Sequence, residues 1–471
     1  MKFGRIWPLA LLSLIPLACT VGPKYDPPVI EMPCEWHSDV PEGMQRDETD
    51  CLLWWQSFND PLLDSLIERA AAQNLDLSIA AARILEARVE EKGGETNLYP
   101  HIDGSATYGH AQYNQKTLDR LLGICRRGSH TRNINFFEIG FDADWEIDLF
   151  GKNLHDLKAL QAKTESSEFE FMNIWITLSA EVAKNYIELR GLQQSREVIT
   201  KHIAAQKDTL HLTHSLTYTG FSSNLDQKQA EEQLNRLLAQ KPLVELSISK
   251  SIHRLSILLG YNPAELFCEL EQPAPLPHLP CQKRIGVPSE LLRRRPDIRR
   301  AERDLAAATE QVGSAIAALF PRISLQGFVG DISALCSGSF TWFGGCQILQ
   351  PIFNSRLLEQ DVTINQLKAE QALYSYQKTV LEALEETENA IASFHFELER
   401  NTNLAKAHEA SQEAHTLMAQ LYENGLKDYI QVQVANQSFL ESEDSYLQSQ
   451  IDLLLHYIAL YKAVGGGWDS D

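Results

Sequence analysis

The sequence predicts a mixed fold: an all-α tunnel of long helical hairpins plus a transmembrane β-barrel, internally duplicated, with four strands per chain. Three observations carry this expectation. The stretch Phe137–Leu149 alternates apolar and wet residues without a fault. The runs 152–216 and 354–421 hold no proline, and Gly191 is their one glycine. Segments of the first half of the 471 residues also reappear in the second at regular offsets.

Phe137, Ile139, Phe141, Ala143, Trp145, Ile147 and Leu149 fall on one side of the alternating stretch, and Glu138, Gly140, Asp142, Asp144, Glu146 and Asp148 on the other. Period two is the signature of a strand with one apolar and one polar face. At about 3.3 Å per residue the stretch spans roughly 43 Å, well beyond an ordinary globular strand. Four strands are expected, at about 99–114, 134–149, 321–332 and 340–352. Four strands cannot close a barrel, and an apolar-faced open sheet leaves edges that a bilayer does not tolerate. Several chains must therefore share one barrel, and three chains give twelve strands, an allowed even number.

The duplication places the helices. "NLDLSIAAARILEARV" from Asn74 echoes "RPDIRRAERDLAAATEQV" from Arg295, and Pro100 pairs with Pro321 at the same offset of 221. Further on, "DLFG" at 148–151 matches "PIFN" at 351–354, and Gly220 matches Gly425, with offsets of 203 and 205. Ile248, Ile252, Leu255 and Leu259 map onto Leu453, Tyr457, Leu460 and Val464, the same amphipathic spacing in both copies. The smaller offset implies an insertion in the first copy near "KTLDRLLGICRRGSHTRN". Each copy reads helix, strand, loop, strand, very long helix, glycine-marked turn, long helix. A helix of the longer run would extend on the order of 100 Å, which points to coiled-coil packing or a tube wall. Pro242 predicts a kink in its helix.

Composition narrows the function. The chain is 44% hydrophobic and 22% charged, with a formal net charge of −21, which argues against a nucleic-acid partner. Beyond the N-terminus no apolar run is long enough for a membrane helix. Residues 1–18 read as an export signal, with Lys2 and Arg5 before an apolar stretch. Residues 19–60 read as a tether, 61–260 as the first repeat, 261–288 as a proline-rich linker, 289–464 as the second repeat, and 465–471 as a tail. The remaining cysteines show no zinc spacing; Cys336 and Cys346 could close a loop, but the odd count leaves a thiol over. His211 with His214, and His408 with His415, share helix faces and read as solvated side chains without a metal motif. "RRRPDIRR" (293–300) reads as a helix start with carboxylate pairing. No arrangement of nucleophile, base and orienting group is visible, so the sequence gives no case for an enzyme. It calls for no cofactor and no metal.

The chain resembles the TolC-type outer-membrane efflux factors, in particular their lipid-anchored multidrug-efflux branch (NodT/OprM-like), from Cys19 to the C-terminus. The resemblance is carried by "WWQSFNDPLLDSLIERAAAQNLDLSIAAAR" (54–83), "DWEIDLFGK" (144–152), "LLGYNP" (258–263), "VPSELLRRRPDIRRAERDLAAA" (287–308), "AALFPRISL" (317–325), "YENG" (422–425) and "YKAVGGGW" (461–468). Ala18-Cys19 resembles the end of a bacterial lipobox, which implies lipidation of Cys19, although Pro16 stands where that pattern prefers leucine. The resemblance implies a homotrimer whose twelve-stranded barrel in outer-membrane lipid continues into a periplasmic helical tunnel. It also implies two partners, a periplasmic adaptor and an inner-membrane transporter. Glu138, Asp142, Asp144, Glu146 and Asp148 would then line the lumen, favouring cations. The gate and adaptor contacts would lie in two turns, at Tyr218, Gly220 and Asp226 and at Tyr422, Gly425, Tyr429, Ile430 and Val434. Family members often carry an aspartate in both turns; Asp226 matches the first, whereas Val434 occupies the second position.

The function so implied is the passive exit duct of a tripartite efflux pump for small molecules. The alternatives are a duct for type I polypeptide secretion or metal-cation efflux, and, from a different class, a periplasmic coiled-coil scaffolding lipoprotein. A soluble enzyme fits least. Asp226 has two readings, a gate carboxylate and a helix-start residue favoured by the dipole. If it gates, Asp226→Ala should raise the conductance in planar bilayers, and unchanged conductance would remove that assignment.

Overall fold

The computed structural model describes residues 20–38, 44–45, 53–114, 131–220, 223–280, 283–284, 287–334, 337–424 and 426–466. Cys19, Cys336, Gly425 and most of the insertion near 116–133 lie outside them. The main elements are α1 Pro61–Gln73, α2 Leu75–Thr96, β1 His101–Asn114, β2 Thr131–Ile147, α3 Lys152–Tyr218 and α4 Asn224–Leu258 in the first half. The second half holds α5 Pro296–Ala317, β3 Arg322–Ala334, β4 Ser337–Leu349, α6 Ser355–Glu423 and α7 Tyr429–Val464. α2 and α5 are both 22 residues long, and α3 and α6 have 67 and 69 residues. The duplication is therefore structural as well as sequential. Pro242 does not break α4, which runs through it. The linker is not wholly irregular: Lys283–Arg284 pairs in parallel with Met44–Gln45.

The chain divides into two compact units. One comprises residues 30–83, 168–300 and 377 onward, and contains the principal core. Leu63, Leu66, Ile67 and Ala70 of α1 follow the i, i+3, i+4, i+7 pattern and are wholly buried. They pack in the same cluster as Tyr186 and Ile187 of α3, Ile252 and Leu255 of α4, and Tyr457 of α7. Burying each large apolar side chain stabilises the fold by roughly 1.5–3 kcal/mol. Asp60 starts α1 by accepting the Leu62 and Leu63 amides at 3.0 and 3.3 Å, and its other oxygen accepts the Tyr186 hydroxyl at 2.5 Å. Burial, reinforced by that bond, pushes the Tyr186 phenol well above its usual range.

Residues 54–58, placed in the tether by the sequence reading, are core. They form a 3₁₀ turn whose Trp54, Trp55 and Phe58 are buried. Trp54 stacks on Tyr461 at 6.0 Å, and Phe58 meets Tyr457 edge-on at 5.5 Å. An aromatic cluster of this size is worth more than a flexible segment could gain by staying in water. Arg295 of "RRRPDIRR" is buried as expected of a structural residue. Its guanidinium bonds Asp297 at 2.7 Å, Glu386 at 2.7 Å and the Ala463 carbonyl at 2.9 Å, tying the start of α5 to α6 and to the end of α7.

The other unit comprises residues up to 29, 84–167 and 301–376, and contains the four long strands. Here the first described residues are docked rather than loose. The Val21 amide donates to the Phe150 carbonyl at 3.1 Å, and His155 Nε2 donates to the Val21 carbonyl at 3.0 Å. His155 Nδ1 lies 2.6 Å from a Glu310 oxygen, with both side chains buried. Tyr25 bonds Glu302 at 3.2 Å and packs against Ala162, Ala306 and Ala307.

Two glycines separate backbone freedom from packing. Gly260 ends α4 at φ +78°, and a Cβ there would stand 2.4 Å from the Gln73 carbonyl oxygen. Gly220 has φ +80°, with nothing within 4 Å of such a Cβ. Gly220→Ala should therefore cost only the left-handed conformation, about 1–2 kcal/mol. Gly260→Ala should cost distinctly more, read as a larger fall in the midpoint of thermal unfolding. Equal shifts would contradict this account.

Candidate functional site

The sheet is ordered β1-β2-β3-β4, antiparallel throughout. Its register aligns one largely apolar face across all four strands, which also carries Asp331 of β3 opposite Ile139 and Phe340. Ile102 and Tyr108 of β1, Phe137 to Ile147 at every second position of β2, Ile323, Leu325 and Val329 of β3, and Phe340, Trp342 and Ile348 of β4 share that face. These are the residues that a water-soluble sheet would bury, yet Tyr108 is 71% exposed and Trp342 74% exposed in the single chain. The Trp145 indole donates to the Leu98 carbonyl at 3.0 Å, close to where β2 ends. Such an amphipathic tryptophan suits a membrane–water boundary.

The opposite face is acidic. Glu138, Asp142, Asp144 and Glu146 lie on it beside Asp103, His101 and Gln326. Asp103 stands directly across from Asp142, a like-charge pair that weakens a sheet; Ser105 offsets this by donating to Asp142 at 2.5 Å. Arg322 pairs with Glu146. Apolar residues interrupt this face: Phe328 stacks on Phe343 at 6.0 Å, its ring lying over Gly140, the Phe136 ring lies over Gly109, and Ile332 stands opposite Glu138.

Asp148 corrects the sequence reading. β2 ends at Ile147, so Asp148 is not a strand residue. Its carboxylate instead accepts the Leu154 amide at 2.8 Å, satisfying one of the free donors at the start of α3. The strand also begins earlier than expected, at Thr131, and runs to 17 residues. β1 and β4 each pair on one side only, leaving a 14-residue and a 13-residue edge.

In the first of the two turns, Gly220 takes the left-handed conformation after α3. Ser223 then caps α4: its hydroxyl accepts the Asp226 amide at 3.2 Å, and the Asp226 carboxylate accepts the Ser223 amide at 3.1 Å. This reciprocal capping box gives Asp226 the helix-start role. Tyr218 is 89% exposed. In the second turn Tyr429 is buried and lies 5.8 Å from Tyr422. Burial first, with lesser contributions from Tyr422 and Asp226, pushes the Tyr429 phenol up against the opposing effect of Gln206. Ile430 and Val434 are exposed.

Two further expectations change. His408 and His415 are not freely solvated; both stack on Phe439 of α7, at 5.6 and 5.3 Å. Sequence spacing on α6 showed that they share a face, but not which helix covers it. His211 and His214 are exposed, as expected. Cys346 is a free, exposed thiol, as are Cys34 and Cys268. Among the described residues no cluster of side chains is arranged to hold a metal ion.

Paired long helical hairpins, duplicated and joined to an amphipathic four-stranded sheet with unpaired edges, define a membrane-inserted channel subunit. The family model "Outer membrane efflux protein" matches residues 66–261 and 287–466, and the chain belongs to that family. Among characterised relatives, the solvent efflux pump outer membrane protein SrpC of Pseudomonas putida is 29% identical over 99% of both chains. The pyoverdine export outer membrane protein OpmQ of Pseudomonas aeruginosa is 28% identical over 91% of this chain and 90% of its own. Of solved structures, the outer-membrane channel OprN superposes with a TM-score of 0.89 at 32% identity, over 96% of this chain and all of that one. The Campylobacter jejuni CmeC outer membrane channel gives 0.83 at 20% identity, covering 96% of each chain, and supports the fold. The protein is thus an outer-membrane efflux channel that extends into the periplasm, with a transport role.

The assignment of faces is directly testable. Phe141→Arg should cost about 2–4 kcal/mol if the side chain meets lipid near mid-bilayer, whereas Asp142→Arg on the other face should be tolerated. The check is urea unfolding from lipid vesicles, and equal losses would contradict the face assignment.

Proposed function

We propose that three copies of this chain form the exit duct of a tripartite efflux pump, passing small molecules from a periplasmic adaptor and an inner-membrane transporter to the exterior. The observation that carries this reading is the pair of unpaired edges on a sheet with an exposed oily face. β1 and β4 run in opposite directions within the alternating antiparallel order, so the β4 edge of one copy can pair antiparallel with the β1 edge of the next. Three such junctions close twelve strands and leave no backbone donor facing lipid.

The helices supply a second, independent argument. Leu357, Ile364, Leu367, Tyr374 and Leu381 of α6 fall at heptad a and d positions and are each half or more exposed. Leu75, Ile79, Leu85 and Val89 of α2 are exposed as well. A coiled-coil seam left open in one chain is what a neighbouring copy would cover. The acidic faces of three sheets would then line the lumen with Glu138, Asp142, Asp144 and Glu146, favouring cationic and neutral cargo.

Nothing among the described residues suggests an energy source of its own, so this reading makes transport passive, with control at the helix ends. Asp226 would serve both the capping box and the gate, with Tyr218, Gly220, Tyr422, Gly425, Tyr429, Ile430 and Val434 forming the adaptor-facing rim. Lipidation of Cys19 is supported by its neighbours. Thr20 lies against Gly151 and Val21 is bonded at Phe150, near the end of β2, so an acyl chain on residue 19 would start beside the lipid-facing strands. The relatives named for solvent efflux and pyoverdine export favour small molecules over polypeptides.

Light scattering of the processed protein in mild detergent, with the detergent contribution subtracted, tests the reading. The expected result is a complex of three chain masses that needs detergent to remain soluble. A monomer soluble without detergent would overturn it.

A further inference from the structure

We propose that a histidine–aromatic cluster joining α3, α6 and α7 makes their packing acid-sensitive, so that the periplasmic helix ends of the channel loosen as pH falls. The functional consequence rests on the channel reading above; the cluster itself does not. Its centre is Phe439 of α7. His415 stacks on it at 5.3 Å with rings 14° apart, and His408 at 5.6 Å and 21°. His202 of α3 meets it edge-on at 5.8 Å. His408 stacks in addition on Tyr446 at 5.5 Å, and its Nδ1 is buried without a hydrogen-bond partner among the described residues. His202 Nε2 lies 2.5 Å from the Glu443 carboxylate.

The spacing on each helix makes a seam. His408 and His415 are seven residues apart on α6, and Phe439, Glu443 and Tyr446 follow i, i+4, i+7 on α7. His415 is about two turns from the end of α6 at Glu423. At that end Tyr422 contacts Tyr429, the first residue of α7. A cavity of about 150 Å³ adjoins the seam, bounded by His202, Gln206, His415, Tyr429 and Phe439. Space for side chains to separate is therefore already present.

The charges on the surrounding elements decide the response. α3 contributes His202 and Lys201, the latter paired with Glu197. α6 contributes His408 and His415. α7 contributes the Glu443 carboxylate and the Tyr429 and Tyr446 phenols. α4 offers uncharged Gln233 and Leu237 to that cavity, and Arg236, paired with Glu232, to a second cavity that His202 lines together with Glu441 and Asp444 of α7. Histidines as a class gain charge across the mildly acidic range, and three of them surround this one ring. The bond from His202, together with positive charge on His202, His408 and Lys201, holds Glu443 below the usual carboxylate range against its burial. Glu443 therefore stays ionised in mild acid and can offset one of them. A cation over the Phe439 face recovers some energy; against it stand the mutual repulsion of like charges and, for His415, the cost of charging a buried imidazole.

Burial and the charge on His202 hold His415 below its ordinary value. The folded state therefore favours neutral His415. The stability this confers is complete above about pH 6.5, the ordinary histidine value, and is lost as pH falls below it.

The test compares the full-length protein with a His408→Gln, His415→Gln variant at about pH 7.5 and 5.5, the window in which histidine titrates. Two readouts are taken: open probability in planar bilayers, and amide hydrogen exchange of residues 429–446 corrected for the intrinsic pH dependence. In the wild type both should rise on acidification, by about tenfold if the cluster supplies one pKa unit of coupling. In the variant both should be flat while behaviour at the higher pH is kept. A variant that responds as the wild type does, or wild-type α7 amides that do not respond, would overturn the proposal. Absence of conductance at either pH would count against the channel reading alone, since exchange still decides the cluster. Should the double variant fail to fold, His202→Gln, which removes one of the three imidazoles, should weaken the response; an undiminished one would equally overturn it.

Discussion

A bilayer interior offers no hydrogen-bond partner to a peptide group, and this constraint governs the rest of the architecture. The chain holds one four-stranded sheet, with backbone edges unpaired on β1 and β4. The register that aligns Phe141 with Val329 and Trp342 on one face puts Asp142 and Gln326 on the other. A single-residue slip in any strand would exchange the oily and acidic faces. The sheet therefore depends on its register, and the register on the alternation that runs unbroken from Phe137 to Ile147 of β2.

The joints between strand and helix show how the chain leaves the sheet without orphaning polar groups. Asp148, one residue beyond β2, turns back to the Leu154 amide of α3. Trp145 reaches the Leu98 carbonyl just before β1. Val21, near the start of the described chain, is bonded at both amide and carbonyl, to Phe150 and His155. The buried His155–Glu310 contact requires at least one shared proton, because Nε2 must keep its own to donate to the Val21 carbonyl. The N-terminal segment is thereby part of the folded unit, which suits a reading in which it carries a membrane anchor.

Polar residues elsewhere serve the helices in the same way. Asp60, Ser223 and Asp226 each satisfy amides at a helix start, and Arg295 holds two carboxylates and a terminal carbonyl. A capping role for Asp226 leaves room for a gating one, since one carboxylate oxygen bonds the Ser223 amide while the group still influences Tyr429 across the turns. The histidines around Phe439 differ: they are half-buried, one of them bonds a carboxylate, and they stand between three helices. That combination makes them responsive rather than merely structural.

Much of this was legible in the sequence because periodicity and duplication are local, one-dimensional signals. Alternation from Phe137 identified the strand and its faces, the absence of proline from 354 to 421 identified α6, and the offset of 221 tied α2 to α5. The family resemblance followed from the same segments. Sequence alone could not locate the end of β2: Asp148 continues the alternating pattern, and only the nearby Leu154 amide shows that it caps a helix instead. Nor could it show that Trp54, Trp55 and Phe58 belong to the core, since their partners Tyr457 and Tyr461 lie some four hundred residues away. The pairing of His408 and His415 with Phe439 was hidden for a related reason. A helix face can be read from spacing along one chain segment, but the neighbour that covers it is chosen by packing between segments, and only tertiary structure records that choice.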